Sequence, residues 1–265
     1  MLKDVTLGQY FPGDTVVHRL DPRTKIVLLV VYIVALFQAS GWWSYALLLA
    51  ATAAVMLLGH IRAKNIFKGL KPMLFIIAFT ALLNMFYTPG RPVVEGWIIT
   101  WEGIERSVQM ILRIVLLIAG TFLLTYTTSP IALTDGLERL MSPLKRIGVP
   151  VHEMTLMMSM ALRFIPTLIE ETDKIRSAQR SRGADFETGN LIRRAKALLP
   201  ILVPLFVSAF RRADELAVAM ESRCYHGGEG RTRMKQMKLQ SIDAFAFALG
   251  VLFLAAIIVM RRFHL

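Results

Sequence analysis

The sequence predicts an all-α integral membrane protein with about five transmembrane helices and two long helices that lie partly in and partly beneath the membrane. Three observations carry this. Between Lys25 and His60 the only ionisable side chains are those of tyrosines. The 265 residues are 55% hydrophobic, with a mean hydropathy of +0.52, yet the formal net charge is +12, a pairing foreign to soluble domains. Further along, several windows approach the roughly 20 mainly apolar residues that a helix needs to cross hydrocarbon.

The first span is predicted from about Lys25 to Ala39 and the second from about Ser44 to Gly59. Ser40-Gly41-Trp42-Trp43 between them reads as a tight turn at a membrane face, where amphipathic aromatics are favoured. Both spans are short, which local thinning of the bilayer would accommodate. A third runs from Pro72 to about Tyr87, a fourth from about Ser107 to Thr127, and the last from about Ala244 to Met260. The mixed, polar first 25 residues do not read as a signal peptide.

Lysine and arginine near the span ends set the orientation. Arg19, Arg23 and Lys25 precede the first span, and Arg62, Lys64, Lys68 and Lys71 fill the second loop with no acid. Both segments are therefore expected in the cytoplasm of a multi-pass cell-membrane protein. Five spans place the C-terminus outside, with Arg261-Arg262 pulling mildly the other way. The predicted organisation is a membrane region at 1–128, a cytosolic or interfacial region at 129–241 and a final transmembrane helix at 242–265.

The middle region holds most of the charge, together with apolar stretches such as Met154–Leu162 and Leu198–Phe206. Pro166, Pro200 and Pro204 interrupt it and are expected to bend or divide its helices. Glu170, Glu171, Asp173, Lys174 and Arg176 follow Pro166 too closely for a further span.

Two helices in this region end alike. A shift of 41 residues carries Asp173 onto Asp214, Ala178 onto Ala219, Ser181 onto Ser222, Arg182 onto Arg223 and Gly189 onto Gly230. Two similar tips suggest two similar sockets, as a dimeric or pseudo-dimeric partner would offer. Attraction of each arginine to the negative end of a helix dipole, about 0.3–1 kcal/mol, explains one basic residue per end but not the repeated pair with its upstream residues. Attraction of basic helices to anionic lipid is the other bland account, at about 1 kcal/mol per cation.

Several chemistries lack their residues. There is no Gly-Lys pair and so no P-loop, and Gly227-Gly228-Glu229-Gly230-Arg231 reads as a basic loop. The lone Cys224 and the scattered histidines His18, His60, His152, His226 and His264 offer no metal-ligand spacing. No catalytic residue and no cofactor or metal site is expected. Ion-coupled carriers need ionisable groups at mid-membrane. Here Arg113 alone interrupts a span, with Glu102 and Glu105 as candidate partners.

The chain resembles the transmembrane T component of energy-coupling factor transporters. The resemblance rests on Gly8-Gln9-Tyr10 and His18-Arg19-Leu20-Asp21-Pro22-Arg23-Thr24-Lys25 before the first span. Leu162-Arg163-Phe164-Ile165-Pro166, Ala178-Gln179-Arg180-Ser181-Arg182-Gly183 and Ala219-Met220-Glu221-Ser222-Arg223 carry it further along. It implies a non-catalytic scaffold, with ATP bound by partner subunits. Arg182, with Ser181 and Gly183, and Arg223, with Ser222 and Cys224, would dock two ABC-type ATPases; the membrane helices would hold a substrate-binding S component. No nucleic acid is expected as a partner. Cys224 stands where the resemblance expects glycine, so the second helix end is expected to differ in shape. The competing function is a stand-alone secondary transporter with its own substrate site. A membrane enzyme would need clustered acids, histidines or a nucleophile that the sequence lacks.

Overall fold

The computed structural model describes residues 10–92, 99–186, 188, 190–227 and 238–263. Within them the chain is helical, with no strand beyond one isolated bridge between Pro92 and Thr100. It divides into two compact units, one of residues 8–137 with 237–265 and one of residues 138–236.

The first unit is the membrane bundle. After a single turn, α1 (Val16–Arg19), helix α2 (Pro22–Gln38) starts on Asp21, whose carboxylate accepts the Arg23 N–H at 2.9 Å. Pro22 occupies the first helical position, where no N–H is needed. Gly41, at φ +89°, turns the chain into α3 (Trp42–Leu58), and Trp42 and Trp43 stand exposed at that turn. Helices α2 and α3 have 17 residues each. At about 1.5 Å per residue they reach roughly 25 Å, short of the ~30 Å hydrocarbon core.

The helix that carries the third span begins before Pro72. Helix α4 (Ala63–Leu70) continues through a 3-10 turn at Lys71–Met73 into α5 (Leu74–Tyr87). Pro72 falls in the opening turn of that new segment, so it redirects the helix without ending it. Thr100 caps α6 (Trp101–Thr127) by accepting the Gly103 N–H at 3.0 Å. The last membrane helix, called α10 below, is Ser241–Arg262. Ala63–Tyr87, Trp101–Thr127 and Ser241–Arg262 are long and apolar enough to cross a membrane, and Trp42–Leu58 is apolar but shorter. The protein is an all-α membrane protein.

Two apolar clusters hold the bundle. Ala35, Leu36, Tyr45, Leu48, Leu116 and Ile257 join α2, α3, α6 and α10. Ile66, Leu70, Ile77, Leu123 and Tyr126 join the α4–α5 segment to α6. Close approach needs small residues in membranes. A Cβ at Gly120 would lie 2.7 Å from the Tyr32 ring, and one at Gly250 would lie 2.4 Å from Leu28 Cδ2. Tyr32 also bonds Thr52 Oγ1 at 2.8 Å and donates to the Leu116 carbonyl at 3.2 Å, tying α2 to α3 and α6.

At one end of the bundle the polar groups are buried and paired. Lys25 Nζ donates to the carbonyls of Thr127 (2.9 Å) and His18 (3.2 Å) and to Thr128 Oγ1 (3.2 Å), which uses its three donors. Asp243 accepts the Asp21 N–H with one oxygen and the Gln240 N–H with the other, both at 2.8 Å, so it caps α10 and fastens it to the start of α2. At the other end Arg261 bonds Gln38, so α2 and α10 run parallel. Arg113 meets neither Glu102 nor Glu105. It donates to the Ala39 carbonyl at 3.3 Å and lies over the Phe37 ring, 5.9 Å from its centroid. The carbonyl end of α2 is a favourable place for the cation, while Glu102 accepts the Arg91 N–H and Glu105 accepts from Gln109.

Helix α7 (Pro130–Met141) crosses the boundary between the units. In the second unit a 3-10 stretch, Ser142–Ile147, leads to α8 (Val151–Ser181) and α9 (Leu191–Glu221), 31 residues each. They run antiparallel. His152 meets Tyr225, Glu171 meets Arg212 and Gln179 meets Pro200, so partners retreat along one helix as they advance along the other. Pro166, Pro200 and Pro204 stand inside unbroken helices and divide neither. Pro204 has no N–H for the carbonyl four residues back, Pro200, and Gln179 Nε2 donates to that oxygen instead, at 3.4 Å.

Candidate functional site

The site candidates are the C-terminal ends of α8 and α9. In the first, Gly183 N–H donates to the Arg180 carbonyl at 2.9 Å and Ala184 N–H reaches back to Gln179 at 3.0 Å. In the second, Cys224 N–H donates to Glu221 at 2.9 Å and Tyr225 N–H to Met220 at 3.1 Å. These are the same pair of bonds displaced by 41 residues, and both form a Schellman motif. Each puts its arginine at the last half-helical position. The serine before each arginine bonds back one turn, Ser181 to Ser177 at 3.2 Å and Ser222 to Val218 at 2.7 Å.

The motif requires a left-handed residue after the arginine, and both ends supply one. Gly183 has φ +86° and Cys224 has φ +55°. The expectation that Cys224 gives the second end another shape is therefore corrected. The hydrogen-bond pattern overrides the side chain, at a cost of about 1–2 kcal/mol for a non-glycine residue there. All six residues, Ser181, Arg182, Gly183, Ser222, Arg223 and Cys224, are exposed. Because α8 and α9 are antiparallel, Arg182 and Arg223 sit at opposite ends of a pair whose helices are each roughly 46 Å long. Gly189 and Gly230, which complete the repeat, lie outside the described residues, as do Gly8 and Gln9 of the lead-in and residues 228–231 of the glycine-rich loop.

Midway, Arg212 donates to Glu171 at 2.7 Å. These two residues are themselves 41 apart, so equivalent positions of the duplicated helices touch each other, as on a two-fold axis. The hydrogen bond from Arg212, with a second from Ser208, holds the Glu171 carboxyl below its ordinary value. Among the described residues no His, Cys, Asp and Glu group could hold a metal ion.

Sequence reasoning missed what surrounds these ends. Tyr225 O–H lies 3.4 Å from His152 Nε2, and His152 Nδ1 lies 3.2 Å from Glu138 Oε1. A tyrosine beside the candidate arginine was visible, but its partner 73 residues away was not. The lead-in motif, seen only as a resemblance, proves to supply Asp21 and Lys25 of the buried clamp.

Residues 13–234, which include both helix ends, match the family described as CbiQ, cobalt transport protein. The energy-coupling factor transporter transmembrane protein EcfT of Ruminiclostridium cellulolyticum is 52% identical over 264 residues, covering 98% of each chain. That of Thermosediminibacter oceani is 53% identical over 99% of each chain. That of Bacillus subtilis is 46% identical over 99% of this chain and 100% of its own. The chain belongs to the EcfT family, the transmembrane components of energy-coupling factor transporters.

Proposed function

We propose that this transmembrane component couples two ABC-type ATPases to a substrate-binding S component, for uptake of vitamins or trace metals. The supporting observation is the pair of matching Schellman ends, each presenting an exposed arginine, at opposite ends of an antiparallel helix pair. Two similar tips that far apart suit two similar sockets, as a dimeric or pseudo-dimeric partner offers. The α8–α9 unit lies in the cytoplasm, where Arg182 enters one ATPase and Arg223 the other. ATP binding draws the ATPases together and moves the two ends relative to each other. Pro166, Pro200 and Pro204 stand where bends would transmit or absorb that movement toward the S component, which reorients and releases its substrate inward. The chain carries no nucleotide chemistry of its own in this scheme.

Truncating a buried charged contact costs about 2–5 kcal/mol, while two tethered tips bind with avidity. Arg182→Ala or Arg223→Ala alone is therefore expected to abolish uptake and leave much of the complex assembled, and the double alanine to release the ATPases. Lysine rescues poorly, since a point charge does not replace a guanidinium fork. Uptake and pull-down assays on these variants decide. A double alanine that keeps both ATPases and near-normal uptake overturns the docking assignment.

A further inference from the structure

The two helix ends share their backbone but not their side-chain surroundings. Tyr225 is the residue that closes the second Schellman motif, and its ring extends to the start of α8. There the hydroxyl meets His152 Nε2 at 3.4 Å, and His152 Nδ1 meets Glu138 Oε1 on α7 at 3.2 Å. One proton arrangement satisfies both bonds with a neutral ring: Nδ1–H donates to the carboxylate and the tyrosine hydroxyl donates to Nε2. Two neighbouring helices, α7 and α8, thus meet a residue 73 positions beyond His152 at one tip. The Glu138 side chain is only 9% exposed and that of His152 21%, so water competes little for these bonds. At the matching position of the first end stands Ala184, whose methyl group can form no such bond.

We propose that Tyr225, His152 and Glu138 are positioning residues for Arg223, fastening the second tip to the base of α8 so that its arginine is presented in a fixed attitude. This rests on the docking reading for its consequence in transport, but the fastening itself is a property of the isolated chain. Only Cys224 separates Tyr225 from Arg223, and a Schellman turn leaves little slack between them. Freed of His152, the turn would keep its backbone bonds while losing its orientation.

Cys224, the only cysteine, carries a nitroxide at this tip without further engineering. In the full chain in lipid nanodiscs, Tyr225→Phe and Glu138→Ala are each expected to narrow the spectrum of that label. Glu138→Gln, which keeps an acceptor for Nδ1–H, retains the parent line shape. A label at the first tip, in an Ala184→Cys, Cys224→Ser chain, is expected not to respond to Tyr225→Phe. Unchanged mobility at Cys224 in both Tyr225→Phe and Glu138→Ala overturns the proposal. So does equal loosening of the two tips, which would mark a general loss of packing. With partners present, Tyr225→Phe is expected to lower uptake several-fold while both ATPases stay bound. Uptake at the parent rate, with Cys224 loosened, would overturn the positioning role alone. Failure of the docking reading shows separately, as ATPase retention by the double arginine variant.

Discussion

In the membrane unit Lys25 and Asp243 are almost wholly enclosed, and each has its hydrogen-bonding atoms engaged by the chain. In the second unit the long helices meet midway through Glu171 and Arg212, an ion pair about a third open to water, and further along through the exposed bond from Gln179 to Pro200, with His152 and Tyr225 joined at one end. The first arrangement is costly to disturb, because a buried polar group left unpaired loses both solvent and partner. The second can open and close with little penalty, since water substitutes for either partner. The membrane frame is thus closed by buried bonds, whereas the two long helices are joined by water-accessible bonds along their length and held by a more enclosed one at the second tip alone.

The contrast breaks most visibly at Asp243. Asp243→Ala strands the Asp21 and Gln240 N–H groups and removes a counter-charge from the neighbourhood of Lys25, and is expected to destabilise the folded protein by about 3 kcal/mol. Thermal unfolding in detergent measures this, and a loss as small as that of Glu171→Ala would erase the distinction between the units. A second variant sharpens it from the other side. Cys224→Gly relieves a left-handed backbone and is expected to stabilise by about 1 kcal/mol, a gain confined to α9 in amide exchange. The smallest effect concerns Glu171. Its folded carboxyl is held below the unfolded value, so its contribution is present above the ordinary carboxylate range and fades as pH falls through the lowered value. Arg212→Ala is expected to flatten that acid limb of the stability profile in part, the bond from Ser208 keeping the remainder, as acid titration of thermal unfolding would read.

What could be read from the residues was whatever repeats or runs continuously. The charge-free stretch after Lys25 announced the first two membrane helices, and the offset of 41 announced two matching helix ends. The shape of the second end was misjudged because propensity alone spoke against Cys224 in a left-handed turn, whereas the Schellman bonds impose it. The helix that carries the third span begins before Pro72: proline signals an interruption, but position within the turn decides whether a helix ends or only bends. Arg113 has an acid within three turns on its own helix, yet a neighbouring helix brought a carbonyl closer. Contacts such as Asp21 with Asp243, or His152 with Tyr225, leave no local trace, because nothing in either segment encodes the other.

The bond between Asp21 and Asp243 also has a consequence in time. The two residues are 222 positions apart, and α2 lies beside α10 for its whole length. At about 5–20 residues per second, the first membrane helix waits roughly 10–45 s on the ribosome for the last to be made. Until then the Asp21 N–H and one flank of α2 have no final partner. A chain interrupted before residue 243 therefore lacks the carboxylate that joins the start of α2 to the start of α10.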